Sequence, residues 1–299
     1  MKLLFGKIHK FFRMLAILLQ EIICKCTVVK MSAYFENNGS LKIANWGDDI
    51  NYWLLSEIST NKIISFDWSV RTRLFHRPYV MGIGSILTMF NIDNSIVWGS
   101  GILLSNKPFK GKPKEVRAVR GPLTRQKLIE NGIDCPEVYG DPALLLPLYY
   151  QPKVEKKYKL GIIQQFRRVN NPLLDSIRND ADVLVIKIGQ YVSWLDIVDE
   201  VCMCETIISS SLHGLILSEA YKIPNVWTYI DGDDPEDFFK YHDFFLSLGK
   251  DRQPMCVYEP ITRASIESQM QRWEPSQIDL KPLLESCPFP LKRNHKIER

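Results

Sequence analysis

Short apolar runs that end in glycine or hydroxyl turns, each followed by a stretch of helical spacing, recur along this 299-residue chain from about residue 40 to residue 230. LKIANWG leads into DDINYWLLSEIS, where Ile50, Trp53, Leu54 and Ile58 fall on one helical face. RPYVMGIGS and NSIVWGSGI run into glycine turns, EVRAVRGP leads into a helix closed by Asn131-Gly132, and CPEVYGDPALLLP reads as a strand and a turn. A second series contains YKLGIIQQF, ADVLVIKI, TIISSS and IPNVWTYI, with helical patterns between them. Strand, turn and helix repeated in this order predict parallel sheets covered by helices, an α/β fold. The polar stretch from Gln151 to Lys157 divides the two series, and a chain of this length suits two cores better than one. The expected organisation is an amphipathic helical segment at 1–30, an α/β domain at 31–150, a second at 158–250 and an extension at 251–299. In such folds a ligand lies outside the carboxyl ends of the strands, here in the cleft between the two domains.

Charge and cysteine usage narrow the function classes. A net charge of +4 suits an anionic substrate or a membrane surface and is too small to argue for nucleic acid. Cys24-x-Cys26 and Cys202-x-Cys204 lack zinc-knuckle spacing, and seven reduced thiols fit a cytoplasmic protein. At the start of the chain, Lys2, Lys7, Lys10 and Arg13 stand among Phe11, Phe12, Leu15, Leu18, Leu19 and Ile22 at helical spacing. The charge-free run from Met14 to Gln20 is too short to span a bilayer. Two readings stand for this segment: a helix lying on anionic lipid at the inner face of the cell membrane, or an ordinary helix packed on the protein.

The residues able to carry chemistry sit just after the strands. Ser209-Ser210-Ser211-Leu212-His213-Gly214 joins a strand to a helix and offers hydroxyls, free backbone N–H groups and a histidine. It can seat an anion and move a proton, or the serines can simply cap the helix. Asn45-Trp46-Gly47-Asp48-Asp49 places carboxylates where they can cap the next helix or bond a sugar hydroxyl. Gly82-Ile83-Gly84-Ser85 and Gly99-Ser100-Gly101 allow close approach of backbone to a ligand, or of strand to helix. Arg120, followed by Gly121-Pro122, can grip a carboxylate or phosphate, or pair with Glu115 or Asp141. Asp141 reads as a turn cap. Arg167 and Arg168 follow the first strand of the second domain, and Asp231-Gly232-Asp233-Asp234 reads as a polar turn.

In order and spacing these segments resemble the polysaccharide pyruvyl transferase family. The likeness rests on NWGDDIN, GIGS, VWGSGI, AVRGPLT, YGDPALLLP, SSSLHGLILSEAYKIPNV and KYHDFFLSLG, which together cover residues about 40 to 250. It is nearest to the branch that serves exopolysaccharide and capsule assembly. The resemblance implies two Rossmann-like domains in a GT-B-like arrangement, with the active site between them. It also implies transfer of a pyruvyl ketal from phosphoenolpyruvate, as co-substrate, to a sugar of a glycan precursor, with no metal or other cofactor; the N-terminal helix suits a lipid-linked acceptor. His213 matches the family histidine, expected as general acid/base; Arg120 matches its first-domain arginine and Asp48 the acidic residue of its N-terminal motif. Asn45, Gly47, Gly84, Ser85, Gly99, Ser100, Gly101, Arg167, Ser210, Ser211, Leu212 and Gly214 are the expected substrate contacts. The chain departs from the pattern in two places: many members carry arginine where Ser211 stands, and Pro-His where Gln164-Gln165 stand. Arg167 and Arg168 are the local candidates to supplement Arg120. Competing expectations are a GT-B-type glycosyltransferase using a nucleotide sugar and a non-catalytic protein of glycan assembly.

Overall fold

The computed structural model describes residues 2–31, 45–165, 170–230 and 238–292, with side chains from residue 12 onward apart from that of Asp48. The first α/β unit contains α1 (Lys2–Ile23), β1 (Cys26–Lys30), α2 (Trp46–Ile58), β2 (Lys62–Ser65), α3 (Val70–Leu74), β3 (Tyr79–Met81), β4 (Ser95–Trp98), β5 (Glu115–Ala118), α4 (Pro122–Glu130) and α5 (Leu146–Tyr149). The second contains β6 (Tyr158–Ile163), α6 (Asp175–Arg178), β7 (Val183–Ile186), α7 (Trp194–Cys202), β8 (Cys204–Ser209), α8 (Leu212–Ala220), β9 (Asn225–Ile230), α9 (Phe239–Ser247) and β10 (Met255–Val257). α10 (Arg263–Met270) and α11 (Lys281–Glu285) follow.

Each unit holds one five-stranded sheet, in the order β2-β1-β3-β4-β5 and β10-β9-β8-β6-β7, and its strands pair in parallel. Tyr79, Val80 and Met81 are all buried, as are Leu160 to Ile163, which is how strands covered on both faces read. The expectation of two parallel α/β sheets, each with helices around it, holds.

Four local readings shift. The first strand is β1, inside the stretch read as a purely helical N-terminal segment. Residues 41–44 of LKIANWG lie outside the described residues, and Trp46 is already helical. CPEVYGDP forms no strand; Tyr139 makes a single bridge to Val119, since Pro136 has no N–H to give and Asp141-Pro142 turns the chain into a 3-10 segment. The second sheet continues past residue 250 to β10, which pairs with β9.

The final segment crosses back to the first unit. Trp98 Nε1 donates to the Leu283 carbonyl at 2.8 Å, and Lys292 N donates to Ile58 O at 2.7 Å. One apolar cluster joins both sheets, running from Trp46 and Trp98 through Ile163 and Leu215 to Phe244 and Leu283. Trp53 stacks on Trp194 at 3.2 Å between ring centroids, fastening α2 to α7. All seven cysteines are free. Among the described residues no helix is long and apolar enough to cross a membrane.

Candidate active site

Where β8 ends, the three serines fold the turn. Ser209 Oγ accepts from Ser211 N at 3.0 Å and donates to Ser211 O at 2.9 Å. Ser210 Oγ accepts from Gln165 N at 3.3 Å, and Ser210 O accepts from Tyr241 Oη at 2.8 Å. Ser211 stands at the N-cap of α8, yet its side chain makes no cap bond, so simple capping does not explain it. The first helical bond runs from Leu215 N to Ser211 O, so the N–H groups of Leu212, His213 and Gly214 point out at the positive end of the helix dipole. Gly214 has a packing reason: a Cβ there would lie 2.5 Å from Ser209 Oγ.

His213 occupies the first turn of α8 and is partly exposed as a residue, but its Nε2 is buried and, among the described residues, without a hydrogen-bond partner. Its ring lies against Gly47 of α2: a Cβ on Gly47 would sit 1.9 Å from His213 Nδ1. Only a residue without a side chain fits there, so the NWGDD and SSSLHG segments meet physically across the two units. Burial, then the positive charges of Arg120 and Lys240, push the His213 pKa down to about 3. The imidazole is therefore neutral at pH 7. It starts a reaction as a base, and acts as an acid only after taking a proton or after an anion binds beside it.

Arg120 is fully buried, and all three of its nitrogens donate within the protein. Nε reaches Asp243 Oδ2 at 3.0 Å, Nη2 reaches Ile102 O at 2.8 Å, and Nη1 bonds Ser85 Oγ. The sequence-local partners drop out: Glu115 pairs with Arg117, and Asp141 accepts from Ala143 N at 3.0 Å as a turn cap. Arg120 thus stands behind Ser85 as a fixed charge and does not project as an open grip. The glycine turns are wired to it. Ser100 Oγ donates to Gly82 O, Gly101 N donates to Gly84 O at 3.0 Å, and a Cβ on Gly101 would lie 2.3 Å from Arg120 Cζ. Gly99 takes φ +85°, and a Cβ there would lie 2.3 Å from Pro142 Cδ. For Gly99 and Gly101 close packing is the operative reading.

Asn45 holds the N-cap position of α2 without a side-chain cap bond, and Trp46 N donates to Ile188 O at 3.2 Å. Asn51, one turn further on, clasps Ile83 through both its N–H and carbonyl, at 2.8 and 2.7 Å, and so holds the GIGS turn. The Asp48 side chain, Arg167, Arg168 and Asp231 to Asp234 lie outside the described residues.

Two residues carry more than the sequence assigned them. Gln164, at the end of β6 beside β8, is buried, with Oε1 accepting from Asn170 N at 3.1 Å and Nε2 lacking a partner among the described residues. Asp243 receives Arg120 Nε, Thr124 N and Thr124 Oγ1, while Tyr241 on the same helix bonds Ser210 O. α9 therefore ties both units to the turn that bears His213.

Residues 92–232, from before β4 to just after β9, match the model of the family described as polysaccharide pyruvyl transferase. The match covers a little under half of the chain. The chain is 28% identical over 224 residues to the uncharacterized protein L143 of Acanthamoeba polyphaga mimivirus, covering 73% of this chain and 76% of that one. It is also 28% identical over 237 residues to the succinoglycan biosynthesis protein ExoV of Rhizobium meliloti (strain 1021), covering 71% of this chain and 64% of ExoV. The matched pyruvyl transferase region contains Gly99 to Gly101, Arg120 and the whole SSSLHG turn. Gly47 and Asp243, which hold the histidine and the arginine of that region, lie on either side of it.

Proposed function

We propose that this chain moves a pyruvyl group from phosphoenolpyruvate onto two hydroxyls of a sugar in a polysaccharide precursor, releasing phosphate. In that reaction both hydroxyl oxygens bond to the former enol carbon and the C–O bond to phosphate breaks. One hydroxyl proton is balanced by the proton gained at the methylene carbon, the other leaves with phosphate. The observation that carries the proposal is the unpartnered, buried Nε2 of His213 beside the open amides of α8, within the region that matches the pyruvyl transferase family.

Neutral His213 takes the proton of an attacking sugar hydroxyl, and the imidazolium so formed hands it on to the departing phosphate. The α8 amides and Gln164 Nε2 supply donors for the carboxylate and phosphate, and Arg120 adds fixed positive charge from behind Ser85. Asp48, matched through the family likeness, and Arg167, the local candidate to supplement Arg120, complete the proposed set. Nothing beyond phosphoenolpyruvate as co-substrate is called on. The likeness to a succinoglycan biosynthesis protein supports an exopolysaccharide precursor as acceptor.

The test is donor consumption. The chain incubated with a panel of lipid-linked glycan precursors releases phosphate from phosphoenolpyruvate and leaves nucleotide sugars intact. Consumption of a nucleotide sugar instead, with phosphoenolpyruvate untouched, makes it a glycosyltransferase and overturns the proposal.

A further inference from the structure

At the far end of the first sheet from His213, α1 is half docked and half bare. Its inner face is fixed: the Arg13 guanidinium lies 4.4 Å over the Trp68 ring, Ile17 packs into the core, and Glu21 accepts from Ser69 Oγ through its carboxylate and from Arg71 Nη1 through its carbonyl at 2.7 Å. The opposite face carries Phe12, Leu15, Leu19, Ile22 and Ile23, which are 61, 42, 50, 63 and 79% exposed. At 100° per residue these five cluster on the side turned away from Ile17, and none is charged. α3 meets α1 through Glu21, and the end of α3 exposes Leu74 and its C-cap Phe75, 66 and 68%, between the exposed basic residues Arg73, His76 and Arg77. Beside them a cleft of about 540 Å³ at the start of β1 and β3 is edged by Arg71 and Arg77.

We infer that this face seats the protein on an anionic lipid surface. The apolar stripe of α1 and the Leu74-Phe75 tip enter the acyl boundary, and Arg73, His76 and Arg77 meet lipid phosphates and carboxylates. An apolar face of this size, flanked by cations and without an exposed carboxylate in the stripe, has the composition of an interfacial helix. Charge argues against a second copy as occupant: two-fold pairing of this patch sets a basic loop against a patch of its own sign. The inference is independent of the reaction at His213.

The full chain is co-sedimented with phosphatidylcholine vesicles with and without phosphatidylserine, alongside Leu15→Ser/Leu19→Ser and Leu74→Ser/Phe75→Ser. These positions are exposed, so the melting temperature of both variants stays near that of the parent. The expected result is binding to phosphatidylserine vesicles that weakens with salt, and a loss of about tenfold or more in partition for each variant. No binding to the anionic vesicles, equal binding to both vesicle types, or variants that bind like the parent overturns the inference. So does a concentration-dependent dimer in sedimentation velocity that the variants abolish, which makes the patch a self-association surface.

Discussion

Arg120 and Asp243, 123 positions apart in the chain, form an ion pair with neither side chain exposed to solvent. Asp243 also takes Thr124 N at 2.8 Å and Thr124 Oγ1 at 2.7 Å, so one carboxylate satisfies three donors of the first unit from a helix of the second. Close approach is built in, since a Cβ on Gly121 would lie 1.8 Å from Asp243 O. Removing the charge leaves a buried guanidinium uncompensated. Asp243→Asn is expected to cost about 3–5 kcal/mol, a drop in Tm on the order of 10 °C. Thermal unfolding by circular dichroism measures it, and an unchanged Tm would mean that the pair does not hold the two units together.

That pairing also marks the limit of what the sequence makes legible. Reading along the chain offers Glu115 and Asp141 as partners for Arg120 because they are near it; the real partner comes from α9 through the fold alone. The turns after β3, β4 and β8 are readable because each follows a continuous apolar run into Gly or Ser. β1 is not, since five residues directly after an amphipathic helix give no period of their own, and β2 is only four residues long. The SSSLHG turn stands out in the sequence, but of its serine side chains Ser209 bonds within the turn while Ser210 reaches across to Gln165 N. Gly47's role as a wall for His213 needs the fold to bring α2 and α8 together.

Gly47→Ala tests that wall. The new methyl must displace the imidazole, whose Nδ1 lies 1.9 Å from its position. A shift of about 1 Å at a catalytic group costs on the order of 10²-fold in rate. Phosphate release should fall by about that factor, and Gly47→Ala turnover equal to the parent's contradicts the placement of His213 against α2.

Gln164→Glu keeps the acceptor for Asn170 N but replaces the unpartnered Nε2 donor with a second, negative oxygen. A lost hydrogen bond to a charged group is worth about 1.5–3 kcal/mol, so KM for phosphoenolpyruvate should rise about 10- to 100-fold. Steady-state kinetics decide it; an unaltered KM places Gln164 outside the anion site.

The depressed His213 pKa makes a stability prediction of definite sign. Folding lowers the pKa from 6.5 to about 3, so the unfolded chain binds the extra proton between these values. The contribution is full above pH 6.5 and is lost as pH falls toward about 3, at no more than about 1.4 kcal/mol per pH unit. Urea unfolding of the parent and His213→Gln across this window should give a flatter acid limb for the variant. Parallel limbs would show that the histidine titrates alike in both states.

The proposal that His213 is the proton-moving group of a phosphoenolpyruvate-dependent ketal transfer is tested most directly by stoichiometric phosphate release with a glycan acceptor, parent against His213→Gln. The parent is expected to release one phosphate per ketal formed. The variant, folded to a similar Tm at pH 7.5 or above, is expected to lose about 10²–10⁴-fold in kcat. Turnover by His213→Gln close to the parent's would contradict it.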